Sequence, residues 1–221
     1  MPLITLEGID RSGKSTQARR LLQRLEEAGV PTLALREPGG TEVGEQVRKV
    51  LLDPENEMSA KTEVLLFAAA RAEIVQKRVV PALNEGVWVV MDRFLDSSLA
   101  YQGAGREEGC RKWVQRIQEY ATGGVVPDRT YLIDVPWRVS ADRKDSTWSD
   151  EEAGDRIENE PPDFYQRVIG TYRTLATEKD RVVSVDGCMS KKAVHQTIWT
   201  DLLQCAFSDV LREKTNGAVA R

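Results

Sequence analysis

The feature that most constrains this fold is the segment at residues 8–16, Gly-Ile-Asp-Arg-Ser-Gly-Lys-Ser-Thr. It matches the GxxxxGK[ST] pattern of a phosphate-binding loop, which connects a strand to a helix. Leu3 to Glu7 is rich in β-forming residues, and apolar residues recur at helical spacing downstream, at Ala18, Leu21, Leu22 and Leu25. A chance match in a glycine- and serine-rich turn is the alternative, but it would not require that flanking strand and helix. The segment therefore predicts a strand–loop–helix unit at the start of an α/β fold.

The residue types in this loop suit a polyphosphate ligand. Glycines let backbone N–H groups approach phosphate oxygens, and the N-terminus of the following helix adds its dipole. Lys14 supplies a positive charge to the β and γ phosphates, and the Ser15 hydroxyl can bind Mg²⁺. We therefore expect a nucleotide site with Mg²⁺ as its cofactor.

Apolar periodicity along the rest of the chain indicates one domain spanning residues 1–221. Four further strands are predicted, at Thr32 to Leu35, Val87 to Met91, Thr130 to Val135 and Val182 to Val185. Helical patterns separate these strands. This alternation predicts an α/β fold with a five-stranded parallel sheet and helices on both faces.

Two of the predicted helices have apolar faces that the structure can test. A long helix from about Ser59 to Leu83 is expected to bury a stripe formed by Leu65, Ala68, Ala69, Ala72, Val75 and Val79. A second amphipathic helix carries Trp113, Val114, Ile117 and Tyr120.

The composition favours an intracellular, cytoplasmic protein that binds neither nucleic acid nor membrane. The chain has 31 basic and 35 acidic side chains, a formal charge of −4, which disfavours a general polyanion surface. No apolar run reaches the length of a membrane span, and we expect no signal peptide because the first predicted strand begins at Leu3. Cys110, Cys188 and Cys205 fit no metal or redox pattern and are interpreted as reduced thiols, and His195 as a surface or interface residue.

Charged residues follow the second and third predicted strands, at Arg36 and at Asp92-Arg93. In open parallel sheets, ligands bind at the carboxyl ends of the strands. The Asp92 carboxylate suits Mg²⁺, bound directly or through water, and Arg93 suits a phosphate. The alternatives are a solvated Arg36 beside a turn and an Asp92 that caps the next helix.

Phe67 and Arg71 are four residues apart on the long predicted helix, so they project into one region. An aromatic ring beside a guanidinium can stack on a flat base and donate hydrogen bonds to it. A core phenylalanine and a solvated arginine are the alternative, which periodicity does not exclude.

The segment DRKDSTWSDEEAGD at residues 142–155 contains almost no aliphatic side chains. Such a segment cannot form core, and we interpret residues 142–157 as a lid. The guanine-reading NKxD pattern of GTPases is absent, and neither a long ATPase module nor a second strand with consecutive acids is present. A short chain with an internal lid indicates a small-molecule kinase, in which closure keeps water from the γ-phosphate.

Six motifs resemble those of the thymidylate kinase family, in the family's order and at nearly its spacing. They are LEGIDRSGKSTQ, REPGGT, LLFAAAR, VVMDRFLDSSLAYQG, PDRTYLIDV and DRIE, and they cover the chain from Leu3 to about Asp186. The resemblance implies a phosphate-binding-loop nucleoside monophosphate kinase fold, phosphorylation of dTMP to dTDP with ATP and Mg²⁺, and a homodimer.

The resemblance also assigns residues to each substrate. Asp10 would bind the sugar 3′-hydroxyl, and Arg36, Arg48 and Arg93 the monophosphate. Phe67 would stack on thymine with Arg71 at O4, Ser98 and Gln102 at the polar edge of the base, and Tyr101 against the deoxyribose. We assign ATP to Gly8, Arg11, Ser12, Gly13, Lys14, Ser15, Thr16 and Arg143, and Mg²⁺ to Ser15 and Asp92.

Arg11, Lys14 and Arg93 are the predicted catalytic residues. Arg11 is preferred to the lid cations Arg143 and Lys144 because acids surround the latter in the sequence. Another nucleotide or deoxynucleoside kinase is the first alternative, although a nucleoside acceptor would need a carboxylate base, whereas a monophosphate needs arginines. A non-catalytic nucleotide-binding protein is the second, and it would not need Lys14, Ser15, Asp92 and a lid together.

Overall fold

Five parallel strands form the sheet at the centre of the protein, as the sequence predicts. The computed structural model describes residues 1–106, 111–145 and 155–205, together with residues 207, 209 and 211. The strands are β1 (Leu3–Glu7), β2 (Thr32–Arg36), β3 (Trp88–Asp92), β4 (Arg129–Asp134) and β5 (Val182–Asp186). Their order is β2-β3-β1-β4-β5, so the strand that precedes the phosphate-binding loop occupies the centre.

Helices cover both faces of the sheet. Their bounds are α1 (Lys14–Glu27), α2 (Glu42–Leu52), α3 (Ala60–Ile74), α4 (Val80–Asn84), α5 (Leu95–Ala100), α6 (Arg111–Thr122), α7 (Trp137–Asp145), α8 (Pro162–Glu178) and α9 (Lys191–Leu202). A π-helical segment, Val75–Val79, joins α3 to α4, and another, Tyr101–Arg106, continues α5. Alternate strand residues point to opposite faces, so the sheet has an apolar core on each side. Ile4 and Leu6 lie in the core beneath α1 and α9, whereas Leu3 lies in the core beneath α3, α5 and α8.

The predicted buried stripe of the long helix is partly wrong. Ala68, Val75 and Val79 are buried, but Leu65 is 58% exposed and Ala69 is also exposed. The helix instead buries two charged residues, Glu63 and Arg71, which have partners inside the protein. A pattern that counts only apolar residues misplaces such a face, because it has no means of recognising a charge whose partner lies elsewhere in the chain.

The apolar face predicted for α6 is also partly wrong. Val114 is buried, but Trp113 is 65% exposed and Tyr120 is 92% exposed. Helix α3 packs against both α2 and α6, so exposed Leu65 and these two rings lie on adjacent helices.

Helix α7 includes residues 142–145, the first part of the predicted lid. Residues 146–154 lie outside the described part of the chain. Asp155 to Glu160 follow as turns, with Ile157 buried in the core. Within the described ranges, no helix is long and apolar enough to cross a membrane.

Candidate active site

Three loops meet at the carboxyl edge of the sheet. In the β1–β3 and β2–β3 pairings, Leu6 and Arg36 both lie beside Asp92. The phosphate-binding loop, the Arg36–Gly40 segment and the Asp92-Arg93 pair therefore emerge together. Residues more than 80 positions apart in sequence are brought within hydrogen-bonding distance here, as shown by the bond from Arg93 Nη1 to the Gly8 carbonyl at 2.9 Å.

The phosphate-binding loop has the backbone that its glycines predict. Gly8 has a φ of 141°, and a Cβ there would lie 2.6 Å from the Ile133 carbonyl oxygen. Gly13, with a φ of 107°, caps α1 without a side-chain hydrogen bond, so the first N–H groups of the helix remain available to an anion. Lys14 is buried, and its Nζ donates to the Ile9 carbonyl at 3.2 Å. Burial and the charge of Arg93 lower the pKa of Lys14.

A cleft of about 550 Å³ lies over this loop and α1. The loop residues Arg11, Ser12, Gly13, Lys14, Ser15 and Thr16 line it, together with Arg143. Arg143 lies on α7 and donates to the carbonyls of Arg11, Ser12 and Gly187 at 2.9 Å each. Arg11 has a φ of 54°, and its Nη2 is 2.6 Å from Glu158 Oε2. Both arginines predicted to contact ATP therefore border this cleft.

A second cavity, of about 250 Å³, lies beside the cleft and shares Lys14 and Ser15 with it. Its lining contains every residue predicted for the acceptor, namely Asp10, Arg36, Arg48, Phe67, Arg71, Arg93, Ser98, Tyr101 and Gln102. The two spaces thus meet at the lysine and serine of the phosphate-binding loop.

Arg93 is the centre of a hydrogen-bonded group in this cavity. Its Nη2 lies 2.5 Å from Asp10 Oδ1 and 3.2 Å from the Tyr101 hydroxyl, which in turn donates to Asp10 Oδ2 at 3.1 Å. Burial raises the pKa of Asp10, but the charges of Arg93 and Lys14 outweigh it and hold that pKa below its usual range. Asp10 is therefore ionised and accepts hydrogen bonds from Arg93 and Tyr101. These bonds hold the Arg93 guanidinium beside the phosphate-binding loop.

Ser15 and Asp92 form the predicted metal site. The Ser15 hydroxyl donates to Asp92 Oδ2, while Asp92 Oδ1 is buried and has no hydrogen-bond partner among the described residues. Hydroxyl and carboxylate oxygens suit Mg²⁺, and an orphaned buried carboxylate oxygen fits a ligand or its bound water. The described residues contain no cluster of three His, Cys, Asp or Glu side chains suited to a metal. The residues present fit a Mg²⁺ ion that takes most of its ligands from phosphates and water.

Of the two helix residues predicted to bind the base, Phe67 and Arg71, the arginine forms a buried ion pair with Glu37. Phe67 is half-buried on the cavity wall, and Arg71 is 1% exposed. The Arg71 guanidinium donates to Glu37, Ser98, Gln118 and the Phe94 carbonyl. The alternative of a solvated arginine is therefore wrong. A base oxygen at Arg71 would have to share a donor that already has a protein acceptor.

Arg36 and Arg48 lie on either side of one backbone carbonyl. Each donates an Nη1 hydrogen to the Pro38 oxygen at 3.0 Å. Arg36 also binds both oxygens of Glu45 at 3.0 Å. The two guanidinium groups therefore lie close together, and both residues line the cavity.

The sequence did not predict a binding role for several residues that line the two spaces. Glu37, Ser97 and Glu158 belong to motifs but had no predicted role, and Asp155 and Ile157 were predicted only as part of the lid. All five line the second cavity. On the other side, Gly187, Met189 and Lys191 line the cleft from the β5–α9 turn. The position of that turn at the carboxyl end of a strand was the available signal.

These features define a phosphate-binding-loop protein in which a cleft over the loop and an arginine-lined cavity share Lys14 and Ser15. A family model described as thymidylate kinase matches residues 6–198. The thymidylate kinase of Symbiobacterium thermophilum is 48% identical over 197 residues, 88% of this chain and 89% of that protein. The thymidylate kinase of Chlorobaculum parvum is 42% identical over 206 residues, covering 90% and 94% of the two chains. That of Prosthecochloris aestuarii is 39% identical, covering 98% and 99%.

The chain belongs to the thymidylate kinase family. The predicted resemblance and fold class are thereby confirmed, and so is the prediction of an ATP-dependent phosphotransferase.

Proposed function

We propose that this protein phosphorylates dTMP to dTDP, with ATP in the cleft over the phosphate-binding loop and dTMP in the adjoining cavity. The observation that carries this assignment is that both spaces share Lys14 and Ser15. A γ-phosphate held by Lys14 then lies at the entrance to the acceptor cavity. In-line transfer requires such an arrangement, because the donor and acceptor phosphates must meet without intervening protein.

Transfer relies on position and charge, because a monophosphate acceptor is already an anion. Arg36, Arg48 and Arg93 hold the acceptor phosphate, and Lys14 and Arg11 neutralise charge on the transferred group. The Asp10 carboxylate accepts a hydrogen bond from the sugar 3′-hydroxyl, and the Tyr101 ring packs on the deoxyribose. Mg²⁺ at Ser15 and Asp92 would neutralise phosphate charge during transfer. The predicted lid over residues 142–157 would exclude water.

Phe67, Arg71, Ser98 and Gln102 bind the base in this proposal. A buried polar edge that meets the wrong base leaves unpaired groups, at a cost of about 1–3 kcal/mol each. We also propose that this reaction serves dTTP biosynthesis and takes place in the cytoplasm.

The test is coupled ADP release with dTMP, dUMP, dCMP, dGMP and thymidine as acceptors. We expect the highest kcat/KM with dTMP and no turnover of thymidine, because the arginines then have no phosphate to bind. Equal rates with thymidine and dTMP would refute the acceptor site. A higher kcat/KM for another monophosphate would refute the base assignment.

We further propose that the protein is a homodimer formed through α2, α3 and α6. Large apolar side chains are exposed on these adjacent helices, at Val43, Val50, Leu65, Trp113 and Tyr120. A second copy of the same surface would remove them from water. Leu65→Glu should shift the sedimentation coefficient to that of a monomer. Val126→Glu is the matched control, because Val126 is 60% exposed but lies outside these helices, and it should leave the dimer intact.

A further inference from the structure

Glu63, on α3, is a buried carboxylate behind the wall of the acceptor cavity. It contacts Gln102, which lines the cavity at the end proposed to bind the base. It is 1% exposed, and its Oε1 accepts from Gln102 Nε2 at 2.8 Å and from Arg106 Nε at 3.1 Å. Its Oε2 accepts from Arg106 Nη2 at 2.9 Å and lies 2.6 Å from Arg156 Nη2. Burial raises the pKa of Glu63, but its bonds to Arg106, Gln102 and Arg156 outweigh burial and lower that pKa. Glu63 is therefore ionised, and an ionised carboxylate can only accept hydrogen bonds.

This carboxylate determines which way the Gln102 amide faces. A glutamine amide has one donating and one accepting end, and only the NH₂ end can face a carboxylate. The Gln102 oxygen is thereby turned away from Glu63. Gln102 lines the cavity, and no donor in the described part of the chain contacts its Oε1. The site thus presents an unused acceptor to the base.

Ser98, four residues earlier on the same continuous helical stretch, presents the opposite polarity. Its Oγ accepts from Arg71 Nη1 at 2.8 Å, and among the described residues no acceptor contacts its hydroxyl hydrogen. Ser98 also lines the cavity. A donor at Ser98 and an acceptor at Gln102 therefore lie side by side on one wall.

The two kinds of pyrimidine differ along the edge that such a wall would contact. Thymine and uracil have an accepting O4 beside a donating N3–H, whereas cytosine has a donating amino group beside an accepting N3. We infer that Glu63 is a positioning residue that makes this cavity select 4-keto pyrimidines over cytosine, by fixing the Gln102 amide with its oxygen toward N3–H. This inference rests on the proposed binding of the pyrimidine in this cavity.

The test compares dUMP with dCMP, since both lack the thymine methyl group and differ only at this edge. In Glu63→Gln, residue 63 can donate as well as accept, so Gln102 is free to turn its amide. We expect the ratio of kcat/KM for dUMP over dCMP to fall about tenfold, the effect of one unpaired buried group. Where dCMP turnover is too slow, its inhibition constant against dTMP replaces kcat/KM. A merely structural role of Glu63 would lower both efficiencies together and leave the ratio unchanged, which would overturn the inference.

Glu160→Gln is the matched control. Glu160 also pairs with Arg106 but does not contact Gln102, so this variant should keep the wild-type ratio. A tenfold fall in this control would mean that the arginine network, rather than the amide orientation, sets the ratio, and would overturn the inference.

Gln102→Leu keeps the test decisive if Glu63→Gln does not fold. Removing the amide should lower the ratio to a similar extent, and an unchanged ratio overturns the inference. If Glu63 acts through Gln102, Glu63→Gln should have no further effect on the ratio in the Gln102→Leu background. If the wild-type protein does not phosphorylate dTMP, the proposed function is refuted. That outcome is distinct from an unchanged ratio in the variants, which overturns only the inference about Glu63.

Discussion

Glu37→Gln tests how strongly the buried ion pair between Glu37 and Arg71 stabilises the folded protein. Arg71 is 1% exposed and Glu37 is 5% exposed, and the carboxylate accepts from Arg71 Nε at 2.8 Å as well as from Nη2. Burial raises the pKa of Glu37, and the Arg71 charge opposes that rise. Glutamine keeps the shape of this side chain but removes its charge, so a buried guanidinium loses its counter-ion.

The expected cost is large because the pair is desolvated. Removing one partner of a buried pair costs about 3–5 kcal/mol. Arg71 keeps three other acceptors, at Ser98, Gln118 and Phe94, so we expect a value near the lower end, about 3 kcal/mol. For a protein of this size, that corresponds to a decrease in Tm of roughly 6–12 °C.

Urea and thermal unfolding of Glu37→Gln and Glu178→Gln provide the comparison. Glu178 pairs with Arg111 at 2.6 Å, but these side chains are 50% and 36% exposed. An exposed pair contributes about 0–1 kcal/mol, so the control should lose at most about 4 °C. Similar losses in the two variants would refute the argument that burial makes the Glu37–Arg71 pair important.

Four further predictions concern the phosphate-binding loop and its surroundings. Lys14→Ala should abolish turnover with little change in Tm, and activity within tenfold of wild type would exclude Lys14 from catalysis. Tyr101→Ala should reduce the preference for dTMP over its ribose analogue, whereas Tyr101→Phe, which keeps the ring, should retain it. The buried Glu7 has a pKa of about 7 against 4.5 in a free side chain, mainly because of burial. The folded state therefore binds this proton more tightly than the unfolded state does. The free energy of unfolding should fall by up to about 3 kcal/mol as the pH rises from 4.5 to 7. Urea unfolding at pH 5 and pH 8 measures this fall, and Glu7→Gln should remove it. Arg11→Ala should lower kcat by about 10²–10³-fold, more than Arg143→Ala does, and the reverse order of kcat effects would assign the catalytic cation to α7.

The sequence was sufficient to predict the sheet and its layers because these follow from local patterns. A phosphate-binding loop fixes one strand–loop–helix unit, and alternating periodicities extend it into a parallel sheet. Trp113 and Tyr120 show where this reasoning ends. Periodicity assigned both to an apolar face, yet they are among the most exposed large side chains of the described chain. A helical pattern states which residues are apolar together, but not whether this protein or a partner covers them.

The site was predictable at the carboxyl ends of strands and less so on helices. Arg36, Asp92 and Arg93 directly follow strands that the sequence identifies, so their convergence follows from topology. Glu63 was missed because it lies within a helix and acts through Gln102, 39 residues away. No spacing rule links the two positions, since their proximity depends on how α3 packs against the helix that follows β3.

The sequence also could not show that the cations of the site have acidic partners. Arg11, Arg71 and Arg93 are paired with Glu158, Glu37 and Asp10, which lie 147, 34 and 83 residues away. These carboxylates fix each guanidinium before a substrate arrives, so little side-chain ordering remains to be done on binding.

The positions of Arg36 and Arg48 support the proposed binding of the acceptor phosphate. Both donate to the Pro38 oxygen at 3.0 Å, so the two donating nitrogens lie within about 6 Å of each other. Two like charges at that distance repel by roughly 3 kcal/mol at an effective dielectric constant of 20. Within the described part of the chain, Glu45 forms an ion pair with Arg36 but not with Arg48. Burial lowers the pKa of Arg48, and the charge of Arg36 adds to this effect. A phosphate dianion between them would replace this repulsion with two attractions, which a neutral nucleoside cannot do. The repulsion between these two arginines therefore supports the proposal that the acceptor is a monophosphate.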